Sequence, residues 1–164
     1  MTEKTMKTIN PCLWFDNNAE EAANYYVSAF PNSKILNVAR YGKSGAAASG
    51  QKEGTAMMVS FNLNGQDYMG LNGGPIFKFS EAISFVIYCE DQKEIDYYWE
   101  KLSAVPASEQ CGWVKDKFGV SWQIVPTALN KLMSGDPVKA EKVMARLMKM
   151  KKIIVKELEE AYES

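Results

Sequence analysis

The sequence contains no histidine among its 164 residues. Histidine is the usual proton carrier near neutral pH, so its absence excludes Ser-His and Cys-His nucleophilic machinery. It also excludes every metal site that uses an imidazole ligand. Any metal ion would have to be held by carboxylate, thiolate or amide groups alone.

The sequence also has few cysteines, a net charge close to zero and no long apolar run. Cys12, Cys89 and Cys111 are widely spaced and form no CxxC pair, which favours three reduced thiols over a disulfide framework. The 19 basic and 20 acidic residues nearly cancel, so no basic face for nucleic acid is expected. Apolar runs stay far below 18 residues and the N-terminus shows no hydrophobic signal region, so we expect a cytoplasmic protein that does not enter a membrane.

An internal repeat organises the chain. The strand-like run "INPCLWF" precedes the helix-like "DNNAEEAANYYVSAF", and "AISFVIYC" precedes "EDQKEIDYYWEKL" in the same way. An offset of 73 residues superposes Asn18 on Asp91 and Glu21 on Glu94, and each pair has the spacing of a capping box at a helix start. Since 46% of the residues are hydrophobic, two such modules can bury a core.

Strand signals follow each predicted helix. Asn64-Gly65 lies between two alternating runs and predicts a tight hairpin, and a second turn is predicted at Lys117 to Gly119. Each half is therefore a strand, a helix, and two or three antiparallel strands. The stretch 42–54 is too long and too rich in small residues for a plain turn, so it is either a lid over a site or disordered.

The residues from Thr127 onward favour helices. Asp136-Pro137 is typical of a helix start, and Val143, Leu147 and Met150 are partly periodic. Packing across the body of the protein or against a dimer partner suits this amphipathic tail better than a membrane surface does. Because a lone chain would expose these three residues, they predict a homodimer in which a tail helix or a module edge is covered by the partner.

Two βαβββ modules in tandem resemble the vicinal-oxygen-chelate superfamily of glyoxalases, bleomycin-resistance proteins and extradiol dioxygenases. The segments 11–35, 70–102 and 111–129 are similar to its PhnB-like branch, the 3-demethylubiquinone-9 3-methyltransferase-like family. The resemblance spans 8–162. It implies an α+β fold with modules at 8–74 and 80–126 forming an open curled sheet around a cavity, followed by a helical tail at 127–164. It also implies a homodimer, in some members formed by exchange of modules.

The metal positions of that superfamily fall on uncharged residues here. Carried over by the motif and the repeat, they are Pro11, Met69, Ser84 and Gln123. Proline offers no ligand, methionine is soft and neutral, and serine and glutamine are weak neutral donors, so no hard or borderline cation would be held. We therefore expect no metal ion and no other cofactor.

Strand alternation then predicts which residues line the cavity. The ten proposed ligand-binding residues are Pro11, Leu13, Phe15, Asp67, Met69, Ser84, Tyr88, Cys111, Trp113 and Gln123, whereas Cys12 and Trp14 are predicted to face the helices.

The favoured hypothesis is a PhnB-like protein that binds a small organic molecule in this metal-free cavity. The alternative is a metal-independent enzyme of transferase or lyase type that acts on a small aromatic or quinone-like substrate. A packed interior with no ligand is the plainest option. No Gly-rich strand-to-helix turn is present, so a Rossmann-type S-adenosylmethionine site is not indicated.

Overall fold

The computed structural model describes residues 9–164 as an α+β protein with two compact units, the second running from Phe79 to Ser164. The N-terminal residues 1–8, for which the sequence predicts no signal region, lie outside this range. The elements of the first unit are β1 (Cys12–Phe15), α1 (Ala19–Ala29), β2 (Lys34–Arg40), α2 (Lys43–Ser49), β3 (Ala56–Leu63) and β4 (Gln66–Asn72). Those of the second are β5 (Phe85–Cys89), α3 (Gln92–Leu102), β6 (Trp113–Lys115), β7 (Ser121–Pro126), α4 (Thr127–Ser134), α5 (Pro137–Leu147) and α6 (Val155–Glu163).

The first unit contains a four-stranded mixed sheet in the order β1-β4-β3-β2. β1 runs parallel to β4, and the other pairs are antiparallel. The predicted hairpin between β3 and β4 is confirmed, because Asn64 and Gly65 both have positive φ, 46° and 94°, as a type I′ turn requires. Helix α1 covers one face, where the rings of Tyr26 and Phe61 lie 6.2 Å apart.

The second unit contains a three-stranded sheet in the order β5-β7-β6. β5 is parallel to β7, and β6 is antiparallel to it. Two strands follow α3, the lower of the two numbers that the sequence allowed. Trp122 and Ile124 of β7 are buried on the side of the sheet that α3 covers. The two mixed sheets are open rather than closed, which confirms the predicted fold class.

Only one of the two predicted capping boxes forms. In the second unit, Asp91 accepts a hydrogen bond from the Glu94 backbone N–H, 2.9 Å, and the Glu94 carboxylate accepts one from the Glu90 N–H, 2.8 Å. In the first unit, Asn18 makes no side-chain cap. The Ala19 N–H donates instead to the side chain of Asn72 on β4, 2.8 Å. A tertiary contact has replaced the local one that the spacing predicted.

The stretch from 42 to 54 contains a short helix. α2 begins after Gly42 and ends at Gly50, whose φ of 71° is the left-handed conformation typical of a helix end. Of the two alternatives for this stretch, disorder is therefore not what the structure shows.

The three tail helices cover their own apolar residues. Val143, Leu147 and Met150 are buried together with Ile153 and Leu158. The expectation that a lone chain would expose them is wrong, because α4, α5 and α6 pack on one another. The predicted start of α5 is confirmed, since the Asp136 carboxylate accepts from two backbone N–H groups. Among the described residues, no helix has the length and hydropathy needed to cross a bilayer.

Candidate functional site

Each sheet has one face covered by a helix and one face, called here the open face, that the helix does not cover. In the first sheet, Asn72 reaches the start of α1, and a Cβ placed on Gly70 would meet Ala19 of α1 and the ring of Phe15. The alternate residues of β4 therefore belong to the open face, and these include Asp67 and Met69. In the parallel pairing of β1 with β4, Cys12 lies opposite Met69 and therefore on the same open face. Trp14, two residues further along β1, shares that face.

The predicted orientation of β1 is wrong by one residue. Leu13 and Phe15 are buried on the helix-covered face, 8% and 3% exposed. Pro11 precedes Leu13 by two residues and therefore belongs to the same face. The cause is the segment between strand and helix. Two residues separate β1 from the Asn18 position, whereas only one separates β5 from Asp91. The offset of 73 aligns the helices but not the strands, and a slip of one residue exchanges the two faces of a strand.

The strand pairings give the correct correspondence between the units. Cys12 pairs with Met69, and Val86 pairs with Gln123, so the strands repeat with an offset of 74. Ser84 therefore corresponds to Asn10 rather than to Pro11. Pro11 contributes its carbonyl, which accepts from the Met69 N–H, 2.9 Å.

Two contacts fix side chains near the first open face. The Asn62 amide donates to the Asp67 carboxylate, 2.6 Å, and the Trp14 indole N–H donates to the Gly74 carbonyl, 2.9 Å. The ring of Phe77 contacts the Trp14 indole edge-on, with 4.9 Å between centroids. Cys12 is exposed, and partial burial raises the pKa of its thiol. Trp14 is thus anchored by the chain that leaves β4, while Cys12 is reachable from solvent.

The second open face carries a polar pair among apolar side chains. The Gln123 amide donates a hydrogen bond to the Ser84 hydroxyl, 2.9 Å. Gln123 is flanked on one side by Val86 of β5 and on the other by Trp113 of β6. Tyr88, two residues beyond Val86, is 58% exposed. The structure therefore brings together four of the predicted residues: Ser84, Tyr88, Trp113 and Gln123.

An ion pair and a buried hydroxyl lie on this same face. Lys115 pairs in register with Ser121, and its ammonium forms a salt bridge with Glu81. Hydrogen bonding and charge from Lys115 hold the pKa of the Glu81 carboxyl below its usual range. The hydroxyl of Ser121 is buried and has no hydrogen-bond partner among the residues 9–164. An unsatisfied hydroxyl of this kind costs free energy unless a ligand or water supplies the bond.

Cys111 does not lie on the open face, contrary to prediction. Its thiol contacts the sulfur of Met148, 3.8 Å, and its side chain packs against the apolar cluster of the tail helices. Its backbone N–H donates to the Met150 carbonyl, and its φ is +51°. The loop before β6 is thus held by the tail, which turns the thiol away from the sheet.

The four positions onto which the sequence resemblance maps metal ligands carry only neutral donors. The corrected set is Asn10, Met69, Ser84 and Gln123, which offers amides, a thioether and a hydroxyl. No group of three or more Cys, Asp or Glu side chains in the described part of the chain is arranged to hold a metal ion. These residues do not fit a divalent cation.

Sequence reasoning missed Asn10, Cys12, Trp14 and Lys115 on the open faces. The first three were missed through the one-residue slip, and the longer connection "DNN" against "ED" was the available signal. Lys115 could have been placed by alternation from Trp113, since both lie on β6.

Comparisons with known proteins agree with this fold. The family model described as 3-demethylubiquinone-9 3-methyltransferase matches residues 7–125. The PhnB protein of Bacillus cereus is 36% identical, covering 74% of this chain and 100% of its own, with a TM-score of 0.62. Protein PA1353 of Pseudomonas aeruginosa is 18% identical, covering 73% and 97%, with a TM-score of 0.57. No match is found among curated proteins.

Proposed function

Because the chain belongs to the 3-demethylubiquinone-9 3-methyltransferase family, of PhnB type within the glyoxalase/bleomycin resistance/dioxygenase superfamily, we propose that it binds a small organic molecule without a metal ion. The proposed site is the open face of the second sheet. The observation that carries the proposal is the hydrogen bond between Gln123 and Ser84, which is held among apolar side chains.

The polar pair offers both a donor and an acceptor at one place. The side-chain oxygen of Gln123 accepts no hydrogen bond from the residues 9–164, and the Ser84 hydroxyl still has its own proton to donate. A ligand carbonyl or hydroxyl can therefore be bound in a defined orientation. Small-molecule sites commonly combine apolar walls with a few polar groups of this kind.

The apolar surroundings favour a flat ligand. Trp113 and Val86 lie on the strands to either side of Gln123, and Tyr88 adds an exposed ring on the same face. Aromatic rings gain about 0.5–1.5 kcal/mol from offset or edge contacts beyond the area that they bury. We therefore favour an aromatic or quinone-like molecule that carries a carbonyl or hydroxyl group.

Binding is tested with 4-hydroxyacetophenone, an aromatic ketone that does not alkylate the exposed thiol of Cys12. Titration calorimetry is expected to show saturable binding that Gln123→Ala weakens by about tenfold, the effect of losing one hydrogen bond in a desolvated place. Gln66→Ala is the matched control, because Gln66 is an exposed amide on β4 of the other unit. Equal affinity in both variants, or no binding by the native protein to this probe and to a quinol, would refute the proposal.

The metal-free part of the proposal has its own test. The uncharged donors Asn10, Met69, Ser84 and Gln123 support it. Purified protein is expected to contain no stoichiometric transition metal, and zinc, nickel, manganese or iron(II) is expected to leave the melting temperature unchanged. A metal present at 100 times its dissociation constant would stabilise the native state by about 2.7 kcal/mol, a clear shift for a protein of this size. About one metal ion per chain, lost in Gln123→Ala, would contradict it.

A metal-independent enzyme of transferase or lyase type is the second candidate. The observation that favours it is the buried, unpartnered hydroxyl of Ser121 in register with Lys115, since a cation and a hydroxyl side by side can stabilise a developing oxyanion. Incubating the bound aromatic ketone or quinol with the protein, alone for a lyase and with a methyl donor such as S-adenosylmethionine for a transferase, and following the mixture by mass spectrometry separates the two candidates. Turnover that Lys115→Met abolishes would favour the enzyme, and unchanged ligand favours the binding protein.

We also propose a homodimer, as the family resemblance implies. The buried tail residues give no support, but Ile83 does, because it is a large apolar residue that is 74% exposed on one chain and is not part of the proposed ligand site. Light scattering is expected to give twice the mass of the chain. Ile83→Lys is expected to shift the mass toward that of one chain, whereas Val138→Lys, also at an exposed apolar residue, leaves it unchanged. A single-chain mass for the native protein at micromolar concentration would contradict this.

A further inference from the structure

The first unit contains a cavity on the helix-covered side of its sheet, apart from the open face. Its volume is about 360 Å³, and it lies between the start of α1 and the chain that joins α2 to β3. Most of the residues in its wall carry a polar or charged side chain, and polar and apolar atoms contribute about equally to its surface. Its residues are Asn17, Glu20, Arg40, Gln51, Gly54, Thr55, Ala56 and Asn72.

The floor of the cavity is fixed by Asn72, which is 3% exposed. Its side-chain oxygen accepts from the Ala19 N–H, 2.8 Å, and its amide donates to the Ala56 carbonyl, 2.9 Å. The hydroxyl of Tyr41 donates to the backbone carbonyl of Asn72, 2.5 Å. Asn72 is therefore committed to holding α1, β3 and β4 together, and the cavity has a rigid base.

The charges in the wall cancel. Arg40 donates from two nitrogens to the two carboxylate oxygens of Glu20, at 3.1 and 3.3 Å. The same guanidinium lies 3.5 Å from the Gly54 carbonyl. A free anion would face the Glu20 carboxylate, and a free cation would face Arg40, so the wall favours a ligand without net charge.

The unused hydrogen-bonding groups include both acceptors and donors. Gln51 donates its amide to the Asp16 carbonyl, 3.3 Å, which leaves its side-chain oxygen without a partner among the described residues. Thr55 donates its proton to the Lys52 carbonyl, 2.7 Å, and keeps its lone pairs. The Asn17 amide, which can donate and accept, has no partner in residues 9–164. The matching ligand presents several hydroxyl groups, which both donate and accept hydrogen bonds.

From the neutral wall, the mixture of unused donors and acceptors and the cavity volume, we propose that this cavity binds a small uncharged polyol of monosaccharide size. The fixed groups are Asn72 and the Glu20–Arg40 pair, and the recognising groups are Asn17, Gln51 and Thr55. The site does not depend on the proposed function of the second unit, since every residue in it belongs to the first.

The test is a titration of ¹⁵N-labelled protein with myo-inositol and with glucose, followed by two-dimensional NMR. The backbone amides of Asn17, Glu20, Gly54 and Thr55 are expected to shift and to saturate at roughly millimolar ligand, as suits a few exposed hydrogen bonds. Asn17→Ala combined with Gln51→Ala is expected to weaken binding by at least about fivefold. Gln66→Ala removes an exposed amide outside the cavity and is expected to leave the affinity unchanged.

Other outcomes would overturn the proposal. Linear, non-saturating shifts with both polyols, or equal affinity in the double variant and the native protein, would show that the cavity is not a polyol site. Saturable shifts with glycine or phosphate in place of the polyols would show that the ligand class is wrong. Gln123→Ala is expected to leave the polyol shifts unchanged, which separates this test from that of the second unit.

Discussion

The carboxylate of Asp116 accepts a hydrogen bond from the indole N–H of Trp122, with 2.8 Å between the two atoms, although both residues are almost fully buried. The other carboxylate oxygen accepts from the backbone N–H groups of Phe118 and Val120, at 2.8 and 3.0 Å. One side chain therefore satisfies the β6–β7 turn and anchors the tryptophan that backs the open face at Gln123.

Replacing Asp116 by Ala is expected to destabilise the protein by about 2–4 kcal/mol, because it removes the acceptor of two buried donors and one partly buried donor, at a cost of about 1–3 kcal/mol for each buried donor before relaxation. Urea denaturation measures the change. Asp96→Asn is the matched control, because Asp96 is exposed and pairs with Lys152 at the surface. A loss no greater than that of the control would contradict the role given to Asp116.

The thiols of Cys12 and Cys89 are expected to differ sharply in reactivity. Cys89 is buried, and desolvation together with the charges of Glu94, Asp91 and Glu90 raises its pKa to about 12. Cys12 is exposed. At pH 8, iodoacetamide followed by mass spectrometry is expected to label Cys12 readily and Cys89 only after unfolding, since the thiolate is the nucleophile. Equal labelling of the two in the native protein would contradict the burial of Cys89.

The raised pKa of Cys89 also predicts a pH dependence of stability. Because the folded state favours the neutral thiol, this contribution is complete below the ordinary pKa of 9.0 and is lost as the pH rises toward about 12. The free energy of unfolding is expected to fall by about 1 kcal/mol per pH unit in that window. Cys89→Ala removes this part of the slope, whereas Cys12→Ala leaves the steep fall in place. Identical slopes for the native protein and Cys89→Ala would exclude the effect.

Gly73 is expected to tolerate no side chain. A Cβ there would overlap the Trp14 indole, which is already fixed by its hydrogen bond to the Gly74 carbonyl. Gly73→Ala is expected to displace the indole, to change the tryptophan fluorescence and to cost about 1–3 kcal/mol, as overpacking commonly does. Gly42→Ala is the control, since nothing lies within 4 Å of a Cβ at that position and its φ is −85°. Equal effects of the two substitutions would contradict the packing of Trp14.

The tail cluster is expected to contribute to global stability. Leu158→Ala empties a fully buried position on α6 and is expected to cost about 2–4 kcal/mol. Val138→Ala, at a residue that is 68% exposed on α5, is expected to change stability by less than about 0.5 kcal/mol. Thermal unfolding of both variants measures the difference. A near-neutral Leu158→Ala would mean that the tail unfolds separately from the rest.

Most of the fold could be predicted from short-range patterns, because those patterns depend on neighbouring residues. The Asn64-Gly65 hairpin, the Asp91 cap and the start of α5 at Asp136 are examples. The orientation of β1 could not be obtained by copying the helix offset, since one added residue before α1 reverses the face. The placement of Cys111 and the covering of Val143 depend on how the tail helices return to the sheet, and no local spacing encodes that path.

The hydrogen bond from Ala19 to Asn72 joins residues 53 positions apart and takes the place of a local cap. Its consequence concerns the order of folding. An isolated helix of 11 residues is marginal in water, and α1 has no cap of its own to nucleate it. α1 is therefore expected to consolidate only after the β3–β4 hairpin has brought Asn72 into place. Because that contact closes a long loop, the first unit should fold slowly for its size. A peptide that spans 16–30 should be largely unstructured on its own, although the same residues are helical in the protein.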